Sequence, residues 1–276
     1  MSWAPHTVVT DELIDPAPVA ALSALFDDGL GAPALGDELP PLWHWAALPR
    51  WASSSELSID GHPFRGTFLP PVDLPRRMFA GGRVEFVRPL QVGDITRRES
   101  RVAEVTEKNG RSGRLVLVTV ETVLHDSAGD PAVVERQNLI YRDAATVSDQ
   151  RPDPPDFVPA GPLLTWADDA WTFRTDPTLL MRFSAATANA HRIHYDWPYA
   201  TGVEGYPGLV VHGPLMSLAV AQTHRLADGP TVSAIEHRNG APLFCGQDAT
   251  IVVDESTRTL IGPDGRPRTT ITFITR

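Results

Sequence analysis

The stretch Pro89–Gly93, with the sequence PLQVG, is echoed in the second half of the chain by PLFCG at Pro242–Gly246. Each copy follows a short apolar-acidic pair, Val84-Glu85 in the first half and Ile235-Glu236 in the second. Each copy also precedes sequence rich in β-branched residues. Self-similarity of this kind is typical of a duplicated structural unit. The sequence therefore predicts two related halves within one chain.

Segments with strand character follow each copy of the repeat. They are rich in β-branched residues and are separated by short turn signals that contain glycine, asparagine or aspartate. The predicted strands are Ser100–Thr106, Arg114–Leu124, Ala132–Tyr141, Ala249–Asp254 and Arg268–Thr275. Strands joined by tight turns favour an antiparallel sheet over βαβ units.

Helical signals precede the strands in each half. In the second half, Asp176-Pro177 is a good N-cap and first-turn pair, and a second helix should run from Gly213-Pro214 to about Leu226. This second helix is apolar on nearly all sides as far as Ala221, so it should be buried. The corresponding helix of the first half is expected at Leu42–Trp45. The predicted class is α+β, with a central helix wrapped by an antiparallel sheet twice in one chain.

A proline-dense segment at Ser148–Asp156 separates the two halves. Prolines at this density interrupt helices and sheet ladders, so an extended linker is expected there. The predicted domains are accordingly residues 1–150 and residues 151–276.

Composition excludes several classes of protein. The 276 residues include 24 basic and 34 acidic side chains, a formal net charge of −10, which disfavours a nucleic-acid partner. The sequence contains neither a polybasic patch for a membrane surface nor an apolar run long enough to span a membrane. No secretory signal is evident at Met1–Asp11, and the single cysteine, Cys245, permits no disulfide within the chain. A cytoplasmic protein is expected, with Cys245 as a small buried residue.

The segment Phe183–Asp196 is the most unusual part of the sequence, because it brings an amide, two imidazoles and a carboxylate together where a helix ends. Soon afterwards, Tyr206–Pro214 delivers Gly213 to the start of the buried helix. A helix N-terminus offers free N–H groups, and Pro214 has none, which leaves the Gly213 N–H as a donor to an anionic oxygen. A base and a donor for stabilising an enolate are therefore both present.

These residues resemble the MaoC-like (R)-specific enoyl-thioester hydratases, which have the hotdog fold. The family motif is an Asp, an Asn two residues later and a His five residues after the Asp, and the matching positions here are Asn189, His191 and His194. Tyr199-Ala200 matches the aromatic-alanine pair that follows, and Gly213 matches the oxyanion-hole glycine. The form around Asn189 is most similar to the branch of hydroxyacyl-thioester dehydratase type 2 and mesaconyl-CoA (3-methylfumaryl-CoA) hydratase.

The first half is similar to the non-catalytic N-terminal hotdog of the same branch. The similar segments are Pro40–Trp45, Phe68–Pro71 and Arg76–Gly82. The resemblance thus covers nearly the whole chain and implies a double hotdog with one active site. We interpret Gly81-Gly82 as a turn at the entry of a strand, not as a phosphate-binding loop.

The resemblance implies addition or removal of water across the α,β double bond of an enoyl-CoA thioester, without a cofactor other than the CoA of the substrate. His194 would be the general base, helped by an unperturbed pKa near neutrality. Asn189 would hold the water, since an amide cannot take up a proton, and the Gly213 N–H would stabilise the enolate. Val211, His212 and Tyr195 are candidate substrate-binding residues.

Several alternatives remain at this level. His191 and His194 form an H-x-x-H pair, but the sequence shows no third ligand with metal spacing, so no metal site is predicted. A dicarboxylic substrate would need a cation, and the candidates are Arg76, Arg77, Arg192 and Arg238.

Other functions would use the same fold. A 3-hydroxyacyl-[acyl carrier protein] dehydratase, a non-catalytic thioester-binding module and a thioesterase with Asp196 as its carboxylate are all open. Exposed sheet edges commonly pair, so a homodimer is compatible with the predicted fold.

Overall fold

The computed structural model describes residues 3–110, 113–144, 147 and 152–276. In these residues the strands form one antiparallel sheet with helices packed against it. The strands are β1 (Thr7–Leu13), β2 (Arg76–Phe86), β3 (Ile95–Gly110), β4 (Gly113–His125), β5 (Pro131–Arg142), β6 (Leu164–Ala167), β7 (Ala170–Phe173), β8 (Val232–Asn239), β9 (Ala249–Asp254), β10 (Thr257–Ile261) and β11 (Pro267–Thr275). The α helices are α1 (Pro16–Phe26), α2 (His44–Ala47), α3 (Pro177–Ala186), α4 (Trp197–Gly202) and α5 (Gly213–Leu226). Short 3₁₀ helices lie at Ser54–Glu56 and Arg192–His194.

The strand order confirms the predicted duplication. The sheet runs β1-β3-β4-β5-β2-β8-β11-β10-β9-β7-β6, so the order of the first half is mirrored across the β2–β8 junction, with β6 added at one edge. The repeated segments occupy matching places. The Gly93 N–H donates to the Ile14 carbonyl at 2.8 Å, and the Gly246 N–H donates to the Thr175 carbonyl at 3.1 Å. Each acceptor directly precedes the Asp-Pro pair that begins α1 or α3.

The two sheets expected from the sequence are joined into one, because β2 pairs with β8. Gly81-Gly82 lies inside β2 beside a register shift, so its interpretation as a strand-entry turn was wrong. A Cβ atom at Gly81 would collide with the His237 carbonyl oxygen, and one at Gly82 would collide with the Arg136 carbonyl oxygen. The glycines therefore permit the close approach of three strands at the junction of the halves.

The helices of the second half follow the prediction. The Asp176 carboxylate accepts the Leu179 N–H at 2.7 Å and caps α3, and α5 begins at Gly213 and is buried along most of its length. In the first half, the helix expected at Leu42–Trp45 is only the single turn α2. It stops at Leu48 because Pro49 follows, and a residue before proline disfavours helical backbone.

The apolar core crosses the boundary between the halves. One buried cluster includes Phe26 and Trp43 of the first half with Phe183, Leu215 and Phe273 of the second. Of the predicted linker, residues 148–151 lie outside the described residues, and the chain from 152 to 163 has neither helix nor strand. The domain boundary near residue 150 stays a prediction. Among the helices that the structure describes, none is long and apolar enough to cross a membrane.

Candidate active site

The end of α3 places the first candidate residue. After Ala186 the chain turns through Ala188, which has a positive φ of 52°, and the Asn189 N–H donates back to the Ser184 carbonyl at 2.9 Å. The Asn189 side-chain oxygen accepts the His191 N–H at 3.1 Å, which fixes the amide at the start of the loop. Asn189 lines a cavity of about 1050 Å³ between the two halves.

His194 ends the 3₁₀ turn and also lines this cavity. Its Nδ1 lies 2.7 Å from the Val210 carbonyl oxygen. Because a carbonyl only accepts, Nδ1 carries the proton, and Nε2 keeps its lone pair for a proton from the substrate side. Burial lowers the pKa of His194 to about 3, helped by the neighbouring His191 imidazole. The near-neutral pKa assumed from the sequence is therefore wrong for the substrate-free site, where His194 is neutral across the physiological range.

His212 packs against the His194 ring and does not line the cavity. The two rings stack with centroids 3.6 Å apart, and His212 is completely buried. His212 Nε2 lies 2.8 Å from the Ser184 hydroxyl oxygen, which ties it to α3. Burial, with His194 beside it, lowers the pKa of His212 well below its usual value. The predicted substrate contact of His212 is replaced by a packing role.

Gly213 is the first residue of α5 and lines the same cavity. Its N–H has no acceptor within the helix, as at every helix N-terminus, and it lies at the positive end of the α5 dipole. A Cβ atom at this position would lie 2.9 Å from Cδ1 of Phe79 and 3.6 Å from Cγ of Asn239. A side chain would therefore displace either Phe79 or the helix start, and glycine keeps the donor accessible.

The other two substrate-binding predictions have different outcomes. Val211 lines the cavity. Tyr195 does not, because its side chain is 43% exposed and its hydroxyl donates to the Ala190 carbonyl at 2.8 Å. Tyr206 lines the cavity instead and stacks under the Arg76 guanidinium, 4.6 Å from ring centroid to Cζ. Sequence reasoning missed Tyr206, although it lies only three residues before Leu209 in the segment already singled out.

The first half contributes to the same cavity through residues that the sequence did not identify. His62 is one of them, and its ring centroid lies 4.1 Å from that of His191. The Asp60 carbonyl accepts the Arg192 N–H at 3.0 Å, so the loop carrying His62 is held against the catalytic loop. A Cβ atom at Gly61, whose φ is +90°, would collide with the Ala190 carbonyl. Glycine is needed there for this contact between the halves.

Asp60, His62 and His191, hereafter the Asp60 cluster, have potential ligand atoms within 4.8 Å of one another, a set that could hold a metal ion. Their other contacts fit this poorly. The Asp60 carboxylate already accepts the His62 N–H at 2.9 Å and faces His62 Nδ1 at 3.2 Å. Burial and then the Arg77 charge lower the pKa of His62 well below its usual value. A cationic neighbour disfavours a second cation, and the absence of a metal site stays a prediction.

The first half lacks the oxyanion donor for a simple reason. The Leu39 N–H donates to the Leu90 carbonyl at 2.7 Å, and the Val211 N–H donates to the Leu243 carbonyl at 2.9 Å. Since Leu90 and Leu243 are equivalent in the repeat, Leu39 and Val211 occupy equivalent positions in the two halves. Two residues on, Pro41 then corresponds to Gly213. Since proline has no N–H, this half has no donor at the matching position. This supports one site per chain.

Comparisons with known proteins agree with this architecture. A family model described as hydroxyacyl-thioester dehydratase type 2 matches residues 42–245. Mesaconyl-C(4)-CoA hydratase of Chloroflexus aurantiacus is 43% identical over 247 residues, which cover 88% of this chain and 85% of that protein. The mitochondrial hydroxyacyl-thioester dehydratase type 2 of Schizosaccharomyces pombe is 23% identical over 279 residues, 90% of each chain.

Solved structures show the same fold at low identity. HtdX of Mycobacterium tuberculosis is 22% identical, with a TM-score of 0.66 over 97% of this chain and 99% of its own. A second Mycobacterium tuberculosis protein, described as a double hotdog, is 14% identical, with a TM-score of 0.57 over 99% of this chain and 95% of its own. The α+β double hotdog predicted from the sequence is thereby confirmed.

Proposed function

The chain belongs to the hydroxyacyl-thioester dehydratase type 2 family and is a hydro-lyase of enoyl-CoA thioesters, and we propose that its substrate is mesaconyl-C4-CoA, which it hydrates to citramalyl-CoA. The single observation that carries the reaction type is the convergence of Asn189, His194 and Gly213 on one cavity. The substrate rests on the 43% identical relative of that name.

The proposed reaction uses only groups of this chain. The Asn189 amide holds a water, and His194 Nε2 takes one of its protons as the oxygen bonds to the β-carbon of the enoyl group. The π electrons move towards the thioester oxygen, and the Gly213 N–H and the α5 dipole stabilise the resulting enolate. The α-carbon then takes a proton from the His194 imidazolium, so the sum is one water added.

The lowered pKa of His194 is compatible with this role. Burial holds the imidazole neutral and ready to accept a proton. Once the enolate forms, its negative charge favours the imidazolium, because opposite charges at short range in a dry site attract strongly. The same pairing of charges returns the proton to the α-carbon, and no cofactor is required.

A thioesterase that uses Asp196, the carboxylate considered from the sequence, is disfavoured because Asp196 is occupied. Asp196 caps α4 by accepting the Tyr199 N–H at 3.1 Å, and it pairs with Arg192 at 2.7 Å. A dehydratase acting on carrier-protein thioesters and a binding module remain outcomes of the test below. We also propose a cytoplasmic location and a homodimer paired through sheet edges, as the sequence led us to expect.

The test is turnover of a panel of enoyl-CoA esters that includes crotonyl-CoA and mesaconyl-C4-CoA, followed as loss of enoyl-thioester absorbance. We expect turnover by the wild type and its loss in His194→Ala and Asn189→Ala, with Tyr195→Phe as a matched control outside the cavity. Absence of turnover on every CoA ester would contradict the proposal. Ligand binding without turnover would then favour the binding module.

A further inference from the structure

Three arginines that line the cavity, Arg50, Arg77 and Arg142, form no ion pair among the described residues, and Arg50 is exposed. Arg77 is partly buried and lines the cavity, and among the described residues no carboxylate oxygen lies within ion-pair distance of it. Burial lowers the pKa of Arg77, with Tyr141 and Asp60 as its nearest electrostatic neighbours. A guanidinium stays charged even so, and a charge without a partner in a desolvated site is costly.

The other three arginines considered from the sequence are already used or point elsewhere. Arg76 pairs with Glu204 at 3.5 Å and stacks on Tyr206. Arg192 pairs with Asp196 at 2.7 Å, and its guanidinium lies over the Tyr199 ring. Arg238 is exposed on β8 and does not line the cavity. Arg77 is therefore the arginine among the four that remains available to an anion.

The surroundings of Arg77 are net positive. Tyr141 lies directly across from it on β5, and the Arg65 guanidinium sits 5.0 Å from the centre of the Tyr141 ring. Arg65 donates to main-chain carbonyls, including that of Val72 at 2.9 Å. Against these two guanidiniums stands one carboxylate, Asp60, which is occupied by hydrogen bonds within its own loop.

The position of Arg77 relative to the reacting atoms follows from the strand. Phe79 lies two residues further along β2 on the same face and packs where a Gly213 side chain would be. Arg77 and Gly213 line the same cavity, and the Arg77 charge acts on His62, whose ring centroid lies 4.1 Å from that of His191. In mesaconyl-C4-CoA the free carboxylate is on the β-carbon, three bonds from the thioester carbon.

The lining of the cavity also includes a buried carboxylate, Glu135, and Arg77 is far from it along the sheet. Glu135 accepts the Trp45 Nε1–H at 2.9 Å and lies 3.2 Å from His44 Nε2. From Tyr141 back to Glu135, β5 spans about 20 Å. Glu135 and the neighbouring Arg98 are engaged by His44 and Glu12, whereas Arg77 has no ion pair among the described residues.

We propose that Arg77 binds the free carboxylate of a dicarboxylic enoyl thioester and selects for a carboxylate on the β-carbon. This inference rests on the proposed function and specifies its substrate class. A guanidinium can hold a carboxylate through two parallel hydrogen bonds, which fixes the β-carbon against the water on Asn189 as well as adding affinity.

The test compares two substrates in matched variants. Arg77→Gln should lower kcat/KM for mesaconyl-C4-CoA by about 100-fold or more, because the buried charge pair with the substrate is lost. The kcat/KM for crotonyl-CoA, which has no carboxylate, should change by less than about threefold. Arg77→Lys should recover part of the loss, since a point charge replaces the bidentate fork. Arg238→Gln, the same change outside the cavity, should leave both substrates unaffected.

The outcomes separate this inference from the proposed function. Turnover of crotonyl-CoA by the wild type without preference for the dicarboxylate would overturn the role of Arg77 and leave hydratase activity standing. Equal losses on both substrates in Arg77→Gln would show that Arg77 only maintains the structure, and would also overturn it. Absence of all turnover by the wild type would contradict the proposed function itself.

Discussion

The burial of His194 makes a sharp prediction about the acid side of the pH profile. Its pKa is lowered to about 3, because the ring is only 6% exposed and hydrogen-bonded through Nδ1 to a main-chain carbonyl. At pH 5 a histidine of pKa about 6.5 would be about 3% neutral, whereas one of pKa about 3 is about 99% neutral. The two cases differ about 30-fold in the fraction of enzyme with a competent base.

The assay measures kcat/KM from about pH 4.5 to 8 on crotonyl-CoA, or on whichever CoA ester with an uncharged acyl group turns over fastest. The ratio kcat/KM is used because its pH dependence reports the pKa values of groups in the free enzyme. An uncharged acyl group keeps the substrate carboxylate out of the titration. We expect a flat profile down to about pH 5, with far-UV circular dichroism at each pH to show that the protein stays folded. A folded enzyme that loses activity with a midpoint between about pH 6 and 7 would refute the argument from burial.

Three further predictions follow from the same site. The free energy of unfolding should fall as the pH drops below about 6.5, because the unfolded chain protonates its histidines before the folded chain does. The fall is up to about 1.4 kcal/mol per pH unit for each buried histidine of lowered pKa. Urea titrations that give equal free energies of unfolding at pH 7 and pH 5 would contradict this. Gly213→Ala should lower kcat at least about 10-fold by crowding Phe79, and adding Phe79→Leu should restore part of it. Because alanine keeps the main-chain N–H, normal kcat in Gly213→Ala alone would contradict the need for glycine at the helix start. Prolonged treatment with EDTA should leave kcat unchanged, and zinc-dependent activity would make the Asp60 cluster a metal site instead.

The sequence predicted which residues line the cavity where these residues come from neighbouring segments. Asn189 and His194 lie in one loop, and Gly213 begins a helix whose start is marked by Pro214. The predicted substrate contacts of Val211 and Tyr195 depend on the direction of each side chain. Val211 lines the cavity, whereas Tyr195 faces solvent. Backbone spacing does not fix side-chain direction in an irregular loop, so the error at Tyr195 has a physical origin.

The sequence placed Arg76 and Arg77 of the first half among four candidate cations but could not choose between the four. Arg77 and Phe79 reach the site because β2 pairs with β8, a contact between residues about 150 positions apart. His62 reaches it through a glycine-dependent loop contact. One local signal was overlooked: Asp15-Pro16 begins α1 with the same capping pattern that was recognised at the start of α3.

Two expectations failed for reasons of local chemistry. The helix predicted at Leu42–Trp45 is limited to one turn by Pro49. The ordinary histidine pKa was assumed because burial is not visible in a sequence, and burial is the main cause of the shift at His194. The duplication itself was correctly predicted from ten residues, since the glycine N–H that ends each copy donates to the residue directly before the Asp-Pro pair of α1 or α3.

The most direct test of the central claim is the fate of labelled water. Mesaconyl-C4-CoA incubated with the enzyme in ¹⁸O-water should yield citramalyl-CoA with one labelled oxygen in the hydroxyl group and its thioester intact, and His194→Ala should yield none. Label in a released carboxylate together with free CoA would instead demonstrate thioester hydrolysis and contradict the account.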